Sequence, residues 1–276
     1  MLTYSQIGFF GRLGNQLFQF ASTIGIAKKL GYEVCFPIEN TIQPSIEHFK
    51  DGVTREVTFD IPKVFNVPKE LLTSKQSIKY DKEVNEPHFH FSPQLFTIPD
   101  DTNLKGYYQT KKYFEHCEEE IRSILQFKSP IVEKAKEIFR GIKTETVSIH
   151  VRLGDYVAQQ QFHPVCDFEY YADALKEFAD DKEYTFVIFS DNIEHCKNIF
   201  PQQENVLFIC DNEPEVDMCA MSMCDHNIIA NSSFSWWAAW LNNNPSKKVV
   251  APKKWFGEAY YYQNTEDLYC KNWIVK

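Results

Sequence analysis

The sequence predicts an α/β protein made of two Rossmann-like domains that face each other across a cleft. Two patterns support this. From residue 142 onward, apolar runs alternate with amphipathic helical segments, as in a parallel sheet covered on both faces. Near the start, a short apolar run, a glycine-punctuated loop, a helix and a second apolar run form a β-α-β unit. With 276 residues, 43% of them hydrophobic, the chain can bury a normal core.

The helix of the first unit is predicted from apolar residues spaced three and four apart. Lys28 and Lys29 occupy its last turn, and Gly31 is placed for a C-terminal cap. The apolar face consists of Leu17, Phe20, Ala21, Ile24, Ala27 and Leu30.

The pattern weakens between residues 37 and 110, where proline and aromatic residues suggest short strands and loops. Gly141, followed by polar residues, marks the expected boundary between domains 1–141 and 142–276. The second domain is expected to contain strands at 146–151, 184–190, 205–210, 226–230 and 248–251 and helices at 167–180, 191–200, 213–224 and 232–243.

Composition excludes several classes of partner. The 29 lysines and arginines against 38 acidic residues give a net charge of -9, which argues against nucleic acid. The eight cysteines form no C-x-x-C pair, so no structural metal site is expected. There is no secretory leader or run long enough to span a membrane, so we expect a cytoplasmic protein with reduced thiols.

Polar residues that directly follow strands are the first candidates for a site, because ligands of open α/β sheets bind beyond the carboxyl ends of the strands. Arg152 follows the strand 146–151 and could grip a phosphate through two parallel hydrogen bonds. A salt bridge with Asp155 that orders the loop is an equally good interpretation. His150, taken alone, is more typical of a core residue.

Two further strand ends carry candidates. Asp191 could cap the helix that follows it or accept hydrogen bonds from a guanine base. Asn231, Ser232 and Ser233 begin a tryptophan-rich helix, whose free N–H groups and dipole favour an anion, although an ordinary serine cap is the commoner case.

The N-terminal loop has glycines at positions 8, 11 and 14, which is neither a dinucleotide fingerprint nor a P-loop. Glu39 lies where a ribose-binding acid would stand in a dinucleotide enzyme, so an oxidoreductase stays an outside alternative.

Four segments together resemble the bacterial α-1,2-fucosyltransferases of glycosyltransferase family 11. They are GRLGNQLFQFA at 11–21, HVRLGDY at 150–156, FSDN at 189–192 and NSSFSWW at 231–237, in the order of that family and across nearly the whole chain. The resemblance implies a GT-B fold with an N-terminal acceptor domain and a C-terminal donor domain. It also implies GDP-β-L-fucose as donor, a β-galactoside as acceptor, inversion at the anomeric carbon and no required cofactor or metal.

The resemblance also implies roles for individual residues. Arg152 would hold the β-phosphate of the donor, and His150 and Asp191 would lie around the nucleoside. Asn15 would face the centre of sugar transfer. The remaining donor contacts implied by the resemblance are Gly14, Asn231, Ser232 and Ser233.

The sequence departs from the family pattern at Leu153, where a second arginine is usual. It also lacks a glutamate soon after this motif that could serve as a base, so Asp155 and His163 are the nearest candidates. These departures leave open a catalytically impaired module of the same fold that only binds nucleotide sugars. The acceptor implied by the family is a galactose-terminated glycan, lipid-linked acceptors included, which would bring the protein to the inner face of the membrane.

Overall fold

The computed structural model describes residues 1–38, 45–48 and 54–276. Glu39, the candidate ribose-binding acid, lies outside the described residues. The chain divides into two compact units. The N-terminal unit comprises Met1–Lys128 and Gln263–Leu268, and the C-terminal unit comprises Ser129–Tyr262 and Tyr269–Lys276.

The division between the units comes earlier than the boundary expected at residue 141. The helix Ser129–Ile138 belongs to the C-terminal unit, where it packs against the helix Pro214–Met223. Lys134 on the first of these helices is 3.1 Å from Glu213 at the start of the second. The glycine at 141 therefore lies in the turn after this helix, inside the second unit, instead of separating the units.

The N-terminal unit is built on a parallel sheet in the strand order β5-β2-β1-β7-β6. An antiparallel hairpin, β3 with β4, is separate from it. The elements are β1 Leu2–Thr3, α1 Leu13–Leu30, β2 Val34–Pro37, β3 Ser45–His48, β4 Thr54–Val57, α2 Ile61–Val64, β5 Leu72–Thr73, β6 Lys82–Asn85, β7 Thr102–Lys105 and α3 Glu118–Ile124.

Helix α1 confirms the β-α-β prediction, since it connects β1 to its parallel neighbour β2. Every residue of the predicted apolar face is buried except Leu30, which is half-buried. Gly31 ends the helix with a left-handed φ of 73°, and the Tyr32 N–H donates to Ala27 O at 2.9 Å. The helix begins at Leu13, so Gly14 and Asn15 lie in its first turn and not in the loop expected there.

The C-terminal unit has a fully parallel sheet in the order β10-β9-β8-β11-β12-β13. Its alternation of strands and helices confirms the prediction, with boundaries that shift by a few residues. The elements are α4 Ser129–Ile138, β8 Glu145–Val151, α5 Phe168–Leu175, β9 Tyr184–Ser190, α6 Ile193–Ile199, β10 Val206–Ile209, α7 Pro214–Met223, β11 His226–Ile228, α8 Ser233–Leu241, β12 Val249–Ala251 and β13 Ile274–Val275.

Helix α8 carries tryptophans that are core residues, as expected. Trp236 and Trp237 are fully buried.

In the parts of the chain that the structure describes, no helix is both long and apolar enough to cross a membrane. All eight cysteines lie among the described residues, and none of them forms a disulfide.

Gly25 is the tightest glycine on α1, and it supplies a test of this packing. A Cβ at this position would lie 2.2 Å from Tyr113 O and 2.7 Å from Phe114 Cα, both backbone atoms. Alanine gains about 1 kcal/mol in helix propensity, whereas overpacking against a backbone costs about 3 kcal/mol. We expect Gly25→Ala to lower the free energy of unfolding by about 2 kcal/mol, measured by urea denaturation. Lys29→Ala, at an exposed position of the same helix, is the control and should change it by less than about 0.5 kcal/mol.

Candidate active site

The strongest cluster of polar side chains lies at the carboxyl end of the C-terminal sheet. Strands β8 and β9 pair in parallel with Val151 opposite Ser190. One residue further along each strand, this register places Arg152 beside Asp191. Arg152 Nη1 donates to Asp191 Oδ2 at 2.6 Å. The strand register therefore brings the two side chains together.

Asp191 also fixes the turn that follows β8. Its second oxygen, Oδ1, accepts the Leu153 N–H at 2.9 Å. Gly154 has a φ of 25°, and a Cβ there would lie 2.5 Å from Asp191 Oδ2. A side chain at position 154 would push the aspartate away from the arginine. The glycine thus permits the close approach on which the cluster depends.

The sequence offered two interpretations of Asp191, and the structure contradicts one of them. Capping of α6 is wrong, because the cap is Asn192, whose side chain accepts the His195 N–H at 3.1 Å. The guanine-binding interpretation remains a proposal. The carboxylate of Asp191 is already held by Arg152 and the Leu153 N–H.

The salt bridge expected as an alternative for Arg152 is present. Arg152 Nη2 contacts the Asp155 carboxylate, so the guanidinium lies between two acids. Its side chain is 17% exposed, against 23% for Asp155 and 27% for Asp191. The two contacts use two of the five N–H donors of a guanidinium. Arg152 is therefore fixed in direction yet still reaches solvent.

Tyr156 connects this cluster to the start of α8. The Arg152 guanidinium lies 5.3 Å from the centroid of the Tyr156 ring, and the Tyr156 hydroxyl donates to Asn231 O at 3.1 Å. His163 stacks on the other side of the cluster, 5.0 Å from the Tyr156 ring. Burial lowers the pKa of His163 below its ordinary value. Sequence reasoning missed Tyr156, since a tyrosine in a loop carries no signal of its partner.

The start of α8 divides its three candidate residues between two roles. Asn231 is buried, and its amide donates to Pro164 O at 2.8 Å and to Trp255 O at 3.0 Å. Its side chain therefore holds neighbouring loops. Ser232 is the helix cap and accepts the Phe234 N–H at 3.3 Å. Ser233, the first residue of the helix, is half-buried and remains a candidate for ligand contact.

His150 is buried beneath this rim. It is 6% exposed, and its Nδ1 has no hydrogen-bond partner in the described structure. The ring lies 5.7 Å from that of Phe234 at the start of α8. Burial, with a smaller contribution from Arg152, lowers its pKa to about 3. His150 is thus a neutral core residue, as its isolated sequence context suggested. The His150 ring is covered, and its contact with a nucleoside remains a proposal.

Leu153, the departure from the expected arginine, is 4% exposed and packs in the hydrophobic core of the C-terminal unit. Its contribution to the cluster is the backbone N–H alone. In the described structure Arg152 already forms two salt bridges, with Asp155 and Asp191, without an arginine at position 153.

The N-terminal candidates Gly14 and Asn15 lie at the start of α1. Gly14 is buried, and Asn15 is half-buried with its Oδ1 accepting Gln109 Nε2 at 2.7 Å. Gly11 has a φ of 89°, and a Cβ there would lie 2.2 Å from Asn15 Nδ2. Asn15 is therefore held at the carboxyl end of β1 and β7.

Among the described residues no three His, Cys, Asp or Glu side chains are grouped to hold a metal.

The fold is that of a GT-B-type glycosyltransferase. The model of the family "Glycosyl transferase family 11" matches residues 3–276, and the chain belongs to that family. It is 32% identical over 89% of its length to the Alpha-1,2-colitosyltransferase of Escherichia coli and covers 90% of it. It is 28% identical to the O-antigen biosynthesis glycosyltransferase WbnK of Escherichia coli, covering 96% and 97% of the two chains.

Two more distant likenesses are informative. The chain is 26% identical to Galactoside alpha-(1,2)-fucosyltransferase 1 of Bos taurus over 84% of its length and 64% of that protein. The crystal structure of NodZ alpha-1,6-fucosyltransferase co-crystallized with GDP superposes with a TM-score of 0.54 at 14% identity, covering 86% and 90% of the chains. At that identity the structural likeness establishes the fold alone.

The buried His150 makes stability depend on pH. The folded-state pKa of about 3 lies below the ordinary 6.5, so below pH 6.5 the unfolded chain takes up a proton that the folded chain does not. This histidine therefore lowers the free energy of unfolding as the pH falls from about 6.5 toward 3, by up to ~1.4 kcal/mol per pH unit.

We expect His150→Gln to unfold with a shallower dependence on pH than the wild type between pH 7 and 5, measured by urea denaturation at each pH. His195→Gln, at an exposed position on α6, is the matched control and should keep the wild-type slope. An unchanged slope in His150→Gln would show that His150 takes up its proton in the folded protein as readily as in the unfolded chain.

Proposed function

We propose that this family 11 enzyme transfers L-fucose from GDP-β-L-fucose to the 2-hydroxyl of a β-galactoside, forming an α-1,2 linkage with inversion and without a required metal. The names of two relatives specify α-1,2 transfer, and one names a galactoside acceptor. The solved structure of similar fold holds GDP. The observation that carries the proposal is Arg152, fixed at the carboxyl rim and connected through Tyr156 to the start of α8.

Catalysis in this scheme depends on the diphosphate that leaves. As the bond between the sugar and the diphosphate breaks, negative charge grows on the phosphate oxygens and positive charge on the sugar ring. A cation about 4 Å from the leaving oxygens stabilises them by on the order of 4 kcal/mol at an effective dielectric near 20. If that stabilisation is felt only in the transition state, it is worth about three decades in rate.

Arg152 would supply this charge through N–H donors that its two acidic partners do not use. Asp155 and Asp191 offset the positive charge, so the energy above is an upper value. The start of α8 adds donors and the positive end of a helix dipole, with Ser233 as its first residue. Asp191 keeps its second contact to the Leu153 N–H when a ligand arrives, because that bond does not involve Arg152.

A colitosyl donor is the second candidate, and the relative at 32% identity supports it. Colitose is fucose without its 3-hydroxyl, so the two donors would share every contact except those at that position. Both candidates use the same leaving group and the same role for Arg152. They differ only in the sugar-binding part of the site.

The proposal also covers the compartment in which the enzyme acts and the class of its acceptor. We propose a cytoplasmic enzyme that acts on a galactose-terminated surface glycan, lipid-linked forms at the inner membrane face included. Relatives named for O-antigen biosynthesis and for galactoside transfer support this acceptor class.

The first test measures GDP release. The purified protein is incubated with methyl β-D-galactopyranoside and either GDP-fucose or GDP-colitose, in the presence of EDTA. We expect acceptor-dependent GDP release with at least one donor and a product with an α-1,2 linkage by NMR. GDP binding without product under all conditions would instead support a module that binds nucleotide sugars without transferring them.

The second test concerns the shape of the cation at position 152. Lysine keeps the charge but cannot make the paired contacts of a planar guanidinium. We expect Arg152→Lys to lower the transfer rate about 100-fold or more, in the range seen when one charge-stabilising donor is removed. Arg140→Lys, at an exposed arginine paired with Glu137, is the control and should keep the wild-type rate. A rate for Arg152→Lys close to that control would contradict the role given to Arg152.

A further inference from the structure

The carboxyl end of the N-terminal sheet carries a second cluster that the scheme above does not use. Glu86 directly follows β6, and the turn Gly106–Gln109 directly follows the neighbouring strand β7. The two strands are parallel, with Asn85 opposite Lys105. Glu86 and the turn therefore lie side by side at the edge where α/β sheets bind their ligands.

Glu86 clamps this turn with both of its oxygens. Oε2 accepts the Tyr107 N–H at 2.7 Å, and Oε1 accepts the Tyr108 N–H at 2.8 Å. The approach is so close that a Cβ on Gly106 would lie 2.3 Å from the Glu86 Cβ. Position 106 must therefore be glycine for the carboxylate to reach the two N–H groups.

The turn is strained at one residue. Tyr108 is fully buried and has a φ of 53°, a left-handed conformation that bulky residues rarely adopt. Such a conformation costs on the order of 1–3 kcal/mol and persists only when the surroundings enforce it. Strained residues of this kind concentrate at ligand sites, where the strain fixes the position of a neighbouring group.

The surroundings do enforce it. The Tyr4 hydroxyl donates to Gly106 O at 2.7 Å, and Ser22 Oγ of helix α1 donates to Tyr108 O at 3.2 Å. Gln109 Nε2 donates to Asn15 Oδ1 at 2.7 Å. The turn is thus held from β6, from the end of β1 and from α1. Through Gln109 it is tied to Asn15, the residue that the family resemblance predicts to face the centre of sugar transfer.

Within the described ranges of the chain, no salt bridge balances the charge of Glu86. The titratable groups that lie close enough to feel its charge are the phenols of Tyr4, Tyr108 and Tyr113. The nearest lysine on β7, Lys105, pairs with Glu83 at 3.7 Å. Burial raises the pKa of Glu86 to about 7, and its two N–H partners oppose that rise.

The side chain of Tyr107 completes the cluster on the solvent side, where it is 44% exposed. An exposed aromatic ring beside a carboxylate is a suitable surface for a sugar, since the ring can pack on the C–H face while the carboxylate accepts hydrogen bonds from hydroxyls.

From these contacts we infer that Glu86 and the turn Gly106–Gln109 form the acceptor-sugar subsite and that the Glu86 carboxylate takes up the proton of the hydroxyl that is glycosylated. This inference rests on the proposed function. In the step, the O–H bond of the acceptor breaks and its proton passes to Glu86. The acceptor oxygen forms the new bond to the anomeric carbon, and the bond from that carbon to the diphosphate breaks with its electron pair.

A base of this kind predicts a specific pH profile. Glu86 loses its proton as the pH rises through about 7, so the wild-type transfer rate rises across that range. Glu86→Gln cannot take up the proton. We expect its transfer rate at pH 8 to fall about 100-fold or more, and the rise of the rate through pH 7 to disappear. The rate is measured as acceptor-dependent GDP release between pH 5.5 and 8.5.

Two readouts separate a base from a purely structural clamp. GDP binding by calorimetry should match the wild type, because the variant does not alter the C-terminal unit. Glu70→Gln, an exposed glutamate of the same unit, is the matched control and should keep the wild-type rate and profile. A Glu86→Gln protein that is slower but keeps the rise through pH 7 would overturn the inference.

Glutamine can accept only one of the two N–H bonds, so Glu86→Asp provides a second variant that keeps a carboxylate. It should retain a pH-dependent rise at a reduced rate, and loss of that rise would contradict a carboxylate base at this position. If the wild type transfers neither sugar, the proposed function fails. The subsite is then tested alone by NMR binding of methyl β-D-galactopyranoside, which Glu86→Gln should weaken about tenfold, and equal binding would reject it.

Discussion

The register between β8 and β9 is the constraint on which the candidate active site depends. Because Val151 lies opposite Ser190, the next residues of the two strands bring a guanidinium and a carboxylate together at the rim. The second oxygen of Asp191 then binds the Leu153 N–H, which fixes the first residue of the turn. A slip of one residue would turn every side chain of the strand to the opposite face of the sheet and separate all three groups. The site is therefore stabilised by the same hydrogen bonds that form the sheet.

This arrangement explains why a strand built for burial ends in polar residues. His150 is covered and stays neutral, since burial lowers its pKa to about 3. Leu153, the residue after Arg152, packs in the hydrophobic core. Only Arg152 points outward between them, and its charge is balanced before any ligand binds. A second arginine at position 153 would have to lose its hydration in that core, so leucine is the residue that fits this loop.

The sequence predicted β8 to β12 of the C-terminal unit because these strands are apolar runs separated by helices, and it missed β13, which has only two residues. The prediction of the cap of helix α6 was wrong, because two neighbouring residues were equally suited to that position. Asp191 and Asn192 are both good caps, and only the position of Arg152 shows which of them is used. The N-terminal sheet was harder to predict, since strands such as β5, with only two residues, are too short to show an alternating pattern.

Glu86 could not have been found from the sequence, because its environment is produced by residues that are distant along the chain. Its partners come from β7, and the turn that it clamps is held in place by Tyr4 and Ser22. The two rims consequently have opposite electrostatics. At the C-terminal rim a cation is balanced by two carboxylates, whereas at the N-terminal rim the described residues place no cation in a salt bridge with the Glu86 carboxylate. A balanced cation can stabilise a leaving anion, and an unbalanced half-buried carboxylate is suited to accepting a proton. The proposed transfer uses both, and in that proposal each unit of the chain provides one of them by the same means, a side chain held at the carboxyl end of a parallel strand.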